Sequence, residues 1–110
     1  MSFHASFGIQ GAATVLSVAG EVTDADIREL RAVVDAAVAQ RSRRLVIDLY
    51  EATQLAPAAV RCLAFAQQQL PAGAQIVVEG AAPHLRHRLT LAGLDRSMTI
   101  VAAPALATAA

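Results

Sequence analysis

RRLVIDLYEATQLAPAAVRCL, residues Arg43 to Leu63, is the stretch whose reading decides the fold. Leu45-Val46-Ile47, followed by Asp48-Leu49, is a short run apolar on both faces, the composition of a central parallel strand. Pro57 suits the first position of a helix, and Val60, Leu63, Ala64 and Gln67 follow it at helical spacing, so a strand passes into a helix. Such junctions are where a parallel α/β sheet commonly keeps its working residues. Yet Gln54-Leu55-Ala56-Pro57-Ala58-Ala59-Val60 holds no acid, hydroxyl, thiol or imidazole. The junction has the position of a site and none of the chemistry.

The same alternation extends in both directions. Upstream, Thr14-Val15-Leu16-Ser17-Val18 is a strand, and Gly20-Glu21-Val22 leads into a helix. Thr23 caps that helix with Asp26 three residues on, the spacing of a capping box. Ile27, Leu30, Val34 and Val38 form its apolar face, and it is expected to end near Gln40. Downstream, the second helix stops at Pro71-Ala72-Gly73, and Gln75 to Glu79 is the next strand. Pro83 opens a third helix, His84 to Ala92, with Gly93 where a left-handed cap is wanted. Thr99-Ile100-Val101 is a last strand. Phe3 to Ile9 alternates weakly and reads as an edge strand. Its link to Thr14 is too short for a crossover, so the two run antiparallel if they pair.

This order predicts an α/β fold in one domain over residues 1–110, with its core at about 14–101. The sheet is mostly parallel, of about five strands with an antiparallel edge strand, and carries three to four helices. Val15, Val18, Leu30, Val34, Val46, Ile47, Leu63, Val77 and Leu89 are the expected core. Residues 103–110 read as a frayed helix or a flexible tail.

Composition narrows the function. A chain of 110 residues with 55% hydrophobic side chains makes one self-standing core. Its formal net charge of zero marks neither a general nucleic-acid binder nor an anionic-membrane binder. A single cysteine, Cys62, excludes an internal disulfide and any multi-cysteine metal site. No apolar run approaches the roughly 20 residues needed to span a bilayer. MSFHASFGIQ lacks the basic and apolar regions of a signal peptide. The expectation is a soluble cytoplasmic protein with no membrane insertion, its oligomeric state open.

Four segments, in order and spacing, resemble a STAS domain, the fold of bacterial anti-sigma factor antagonists. VLSVAGEVTDADIREL (Val15–Leu30) resembles the family's opening strand, Gly-Glu-hydrophobic phrase and first helix. RRLVIDLYEAT (Arg43–Thr53) resembles its strand ending in Asp-Leu, and GAQIVVEGAAP (Gly73–Pro83) the following strand and turn. RHRLTLAGLDRSMTIV (Arg86–Val101) resembles the closing Gly-Leu-Asp pattern and last strand. The resemblance covers roughly Thr14 to Val101. Regulatory members place Asp-Ser-Ser/Thr-Gly-Leu at the start of the second helix, where a kinase that is also the anti-sigma factor phosphorylates one hydroxyl to switch binding off. With the family's Asp-Leu laid on Asp48-Leu49, that acid falls on Ala56, the phosphoacceptor on Ala58 and the Gly on Ala59. Ala56, Pro57, Ala58 and Ala59 then resemble a switch site with the switch removed. A second family acid falls on Thr23, close to Asp24 and Asp26. Phosphorylation would add roughly −1.5 to −2 charges at a helix N-terminus, but Ala58 has no oxygen to accept it. Thr53 and Tyr50 are the nearest hydroxyls.

No enzyme emerges from the remaining candidates: catalytic residues, cofactor and metal site are all read as none. His84 and His87 lie three apart without an accompanying Cys or acid ligand phrase. The chain has no phosphate-binding Gly loop and no Lys to serve one. Asp48 is read as accepting backbone N–H bonds from the turn after its strand, and Cys62 as flank packing. His84, Arg86, His87, Arg88 and Arg96 give the third helix a basic face, either solvated or meeting an acidic partner. On the second helix, Ala58, Arg61, Phe65 and Gln68 share an outer stripe if Val60, Leu63, Ala64 and Gln67 face the sheet. Phe65 beside Arg61 is either a docking anchor or rim packing against another helix. The resemblance favours docking, with Thr23, Asp24, Ala58, Arg61, Phe65 and Gln68 meeting a protein partner such as an anti-sigma factor or serine-kinase-like regulator. The alternative is an accessory subunit of an ABC lipid transporter, since some small STAS proteins of that kind resemble this chain.

Overall fold

A computed structural model describes residues 3–102, side chains excepted at Ala102; the tail expected over 103–110 lies outside the described residues. The elements are β1 (His4–Gln10), β2 (Ala13–Val22), α1 (Ile27–Val38), β3 (Arg44–Asp48), β4 (Ala52–Leu55), α2 (Pro57–Gln69), β5 (Gln75–Ala81), α3 (Pro83–Leu91) and β6 (Thr99–Ala102). Short 3₁₀ turns, Asp24–Asp26 and Leu94–Arg96, precede α1 and β6. The sheet runs β1-β2-β3-β5-β6, antiparallel between β1 and β2 and parallel thereafter. The fold is therefore the expected α/β domain, with one element unforeseen. β4 pairs parallel with the end of β2, Gly20 to Val22. It was hidden because Ala52 to Leu55 is too short and too polar to show a strand period, and Glu21-Val22 extend β2 instead of leading into the helix.

Each crossover, β2 to β3, β3 to β5 and β5 to β6, steps the same way across the sheet. Right-handed connections that all advance in one direction place their helices on one face. The core obeys this: Leu16, Leu45, Ile47 and Val78 form one cluster with Leu30, Val34, Leu63, Leu85 and Leu89. Strand residues alternate between faces, so Val15, Val46 and Val77, which are register partners, point the other way. Val15 and Val46 are only half-buried, and none of the three belongs to the cluster. Val77 is nonetheless buried, as expected, whereas the expectation that Val15 and Val46 were core is corrected: an apolar run on both faces suggested helices on both, and the topology supplies them on one. Gly93 has the expected left-handed φ of 85° at the end of α3.

Candidate functional site

The blank junction is pinned to the end of β2. The backbone N–H of Ala56 donates to the Val22 carbonyl at 2.9 Å, so the residue before α2 sits where β2 turns into Thr23. At that turn the Thr23 N–H and hydroxyl both donate to one Asp26 carboxylate oxygen, at 2.9 and 3.0 Å. This is the local order expected from Thr23 and Asp26, and it holds Asp24 exposed at the corner. Thr23 and Asp24 from one side, and Gln54, Leu55 and Ala56 from the other, line one shallow cleft together with Glu21 and Arg88.

α3 closes the far wall. His84 Nε2 lies 2.8 Å from the Thr53 carbonyl; a carbonyl only accepts, so Nε2 carries the proton and donates. His84 therefore ties α3 to β4 while remaining solvent-exposed, as read from the sequence; His87 is exposed too. One turn further, Arg88 borders both the cleft and a second groove between α2 and α3, lined by Pro57, Val60, Arg61, Leu91 and Ala92. Leu91 is 74% exposed there. The sequence held its signal: Leu89 and Leu91 are two apart, and a helix cannot turn both to one core.

α2 buries Ala59, Val60, Cys62, Leu63 and Ala66. Arg61, Phe65 and Gln68 are exposed and Ala58 half-buried, on the outer stripe as expected, whereas Gln67, expected to face the sheet, is exposed. Alanines at 59 and 66 take the inward positions because α2 packs closely on α1 and the sheet. Phe65, 40% exposed, is not free. The Arg31 guanidinium of α1 lies 4.7 Å over its ring, a cation–π contact that makes it partly rim packing. Burial pushes the Cys62 thiol up, with the Arg31 charge pulling weakly the other way, so Cys62 is a packed thiol and not a nucleophile.

Asp48 has the structural role read from its position. Its carboxylate accepts the Tyr50 N–H at 3.0 Å and the Ser17 hydroxyl at 3.2 Å. The Tyr50 ring then rests on Gly80, whose φ is 79° and where a Cβ would stand 2.4 Å from the ring. Among the described residues, no group of three or more His, Cys, Asp or Glu side chains could hold a metal ion. The cleft and groove thus present a mixed-charge rim, two arginines and an exposed leucine. That arrangement can bind a surface.

The family model described as Mlab, STAS domain matches residues 5–102. The chain belongs to the STAS domain family. Its STAS match runs from β1 to β6, so cleft and groove both lie within the domain. The crystal structure of an anti-sigma factor antagonist from Mycobacterium paratuberculosis superposes with a TM-score of 0.83 at 26% identity, over 90% of this chain and 85% of that one. A putative anti-sigma factor antagonist from Thermotoga maritima gives 0.77 at 12% identity, over 96% and 90%. The anti-sigma factor antagonist SpoIIAA in its unphosphorylated form gives 0.68 at 13%, over 91% and 87%. Among curated proteins, none matches the chain in sequence. Among the described residues, no helix of this STAS chain is long and apolar enough to cross a membrane.

Proposed function

We propose that this STAS protein is a non-catalytic, antagonist-like regulator that docks a protein partner without phosphoryl control at α2. The partner class is an anti-sigma factor or a serine-kinase-like regulator, and the setting is the cytoplasm. One observation carries the reading: the residues at the start of α2, Ala56 to Ala59, adjoin an open groove in which Leu91 and Arg61 stand exposed. The open groove supports a docking role, and Ala58, which falls where the family's phosphoacceptor would, carries no hydroxyl. Thr23 and Asp24 flank this surface across the cleft, while Phe65 and Gln68 extend it along α2. The solved neighbours, antagonists by their own descriptions, weigh toward this reading over the lipid-transporter subunit.

The test is titration of the purified chain against each anti-sigma factor and serine-kinase-like regulator of its host. One of them should bind, and Arg61→Ala and Leu91→Ala should each weaken it by roughly tenfold or more, the size of a moderate hot spot. Incubation of that pair with ATP should leave Thr23, Tyr50 and Thr53 unmodified. Undiminished affinity in both variants moves the docking surface elsewhere; stoichiometric phosphate on any of the three hydroxyls shows that the switch was relocated and not lost.

A further inference from the structure

The sheet face opposite the helices carries no helix, and its residues fall into rows, half-buried at Val15 and Val46 and buried at Val77. Register places Gln10, Ala13, Arg44 and Gln75 in the first row, and Gly8, Val15, Val46, Val77 and Thr99 in the second. Ser6, Ser17, Asp48, Glu79 and Val101 make the third. A strand face left to water is ordinarily polar. Here the middle row is apolar across three adjacent strands, with positive charge at one end and two carboxylates at the other. Asp48 is held in that row by its bonds from Ser17 and Tyr50.

We propose that this face binds a second copy of the chain, through a two-fold axis lying between the sheets and crossing the strands at the Val15-Val46-Val77 row. The charges choose the axis. Arg44 and Asp48 are four residues apart on β3, about 13 Å. A two-fold across the strands reverses their direction, lays valine row on valine row, and sets Arg44 opposite Asp48 of the other copy, with that copy's Glu79 one strand away. An axis along the strands would instead stack Arg44 over arginine and the carboxylates over carboxylates, which repel. Self-complementarity of this kind is what an isologous dimer requires. Five strands about 4.8 Å apart and five residues of about 3.3 Å each make a plane of roughly 400 Å². A pair of such planes, about 800 Å² together, falls below the roughly 1,200 Å² at which stable interfaces begin, so the dimer is a weak, transient one, dissociating in the micromolar range or above. The helices point away from it, so the groove between α2 and α3 stays free, and the proposal does not rest on the function assigned to that groove.

Sedimentation velocity over a concentration series decides it. Wild type should pass from monomer to dimer as concentration rises to about 500 µM, and Val46→Glu should hold it monomeric. Arg44→Glu and Glu79→Arg should each weaken association about tenfold or more, and the two together should recover part of that loss, because the swap restores opposite charges between positions 44 and 79 of the two copies although Asp48 then meets a carboxylate. Circular dichroism and melting confirm that each variant is folded. A wild type monomeric throughout overturns the proposal. So does a dimer indifferent to Val46→Glu, or a double swap no better than either single one.

Discussion

On β3, Leu45 and Ile47 are fully buried while Val46 between them is half-buried, and on β5 Ile76 and Val78 join the core cluster while Val77 does not. The two faces of this sheet are made of nearly the same side chains and sit in different surroundings. One is roofed by α1, α2 and α3 because every crossover steps the same way; the other receives no helix for the same reason. Side-chain chemistry therefore does not separate core from surface here. Connectivity does. The roofed face supports the groove between α2 and α3, and the other face carries no helix.

Substituting neighbours on β3 breaks or confirms that division. Ile47→Ala removes atoms from the closed cluster and should cost about 2–5 kcal/mol, enough to threaten a domain of this size. Val46→Ala, one residue away, should cost under about 1 kcal/mol, because the open face has less packing to lose. Urea unfolding of the two, at a concentration where the chain is monomeric, gives the contrast directly. Equal losses would mean that the second face is covered within the monomer.

Much of this was legible from residues. Leu30, Val34, Leu63 and Leu89 were placed in the core by helical spacing alone, and Thr23 with Asp26 announced its own capping box. Val15 and Val46 misled because a period-two pattern is erased when both faces are apolar, and only the order of crossovers tells which face is roofed. β4 was illegible because its four residues gain strand form from the end of β2 and not from propensity. The proposed docking region is legible by position only, through the alanines before and within the first turn of α2. The exposed Leu91 lies on α3, outside that pattern, although the Leu89-Leu91 spacing already excludes burying both.

A second contrast sits at the bare face's carboxylate end, where Tyr50, 52% exposed, is nonetheless fixed by Gly80. Gly80→Ala meets both a left-handed φ and the ring, and should cost about 1–3 kcal/mol. In a Tyr50→Ala background the ring is gone and only the φ penalty remains, so the cost of Gly80→Ala should fall by roughly half. An unchanged cost would show that the backbone alone demands glycine, and that Tyr50 only happens to lie above it.

The smallest effect belongs to Phe65, on the roofed side but outside the roof. Its ring faces Arg31, which also pairs with Asp35 at 3.5 Å along α1 with both side chains about half exposed. A cation–π contact at such exposure is worth about 0.5–1 kcal/mol. Phe65→Ala and Arg31→Ala should each lower stability by about 1 kcal/mol or less, and together by less than their sum, since each removes the same contact. A partner that used Phe65 as its anchor would first have to displace Arg31 from the ring, whereas Leu91 and Arg61 offer themselves with no such cost. Phe65→Ala should therefore weaken docking by less than about threefold, well below the loss expected from Leu91→Ala. A thirtyfold loss from Phe65→Ala with stability intact would place it at the centre of the surface and move the groove between α2 and α3 to its rim.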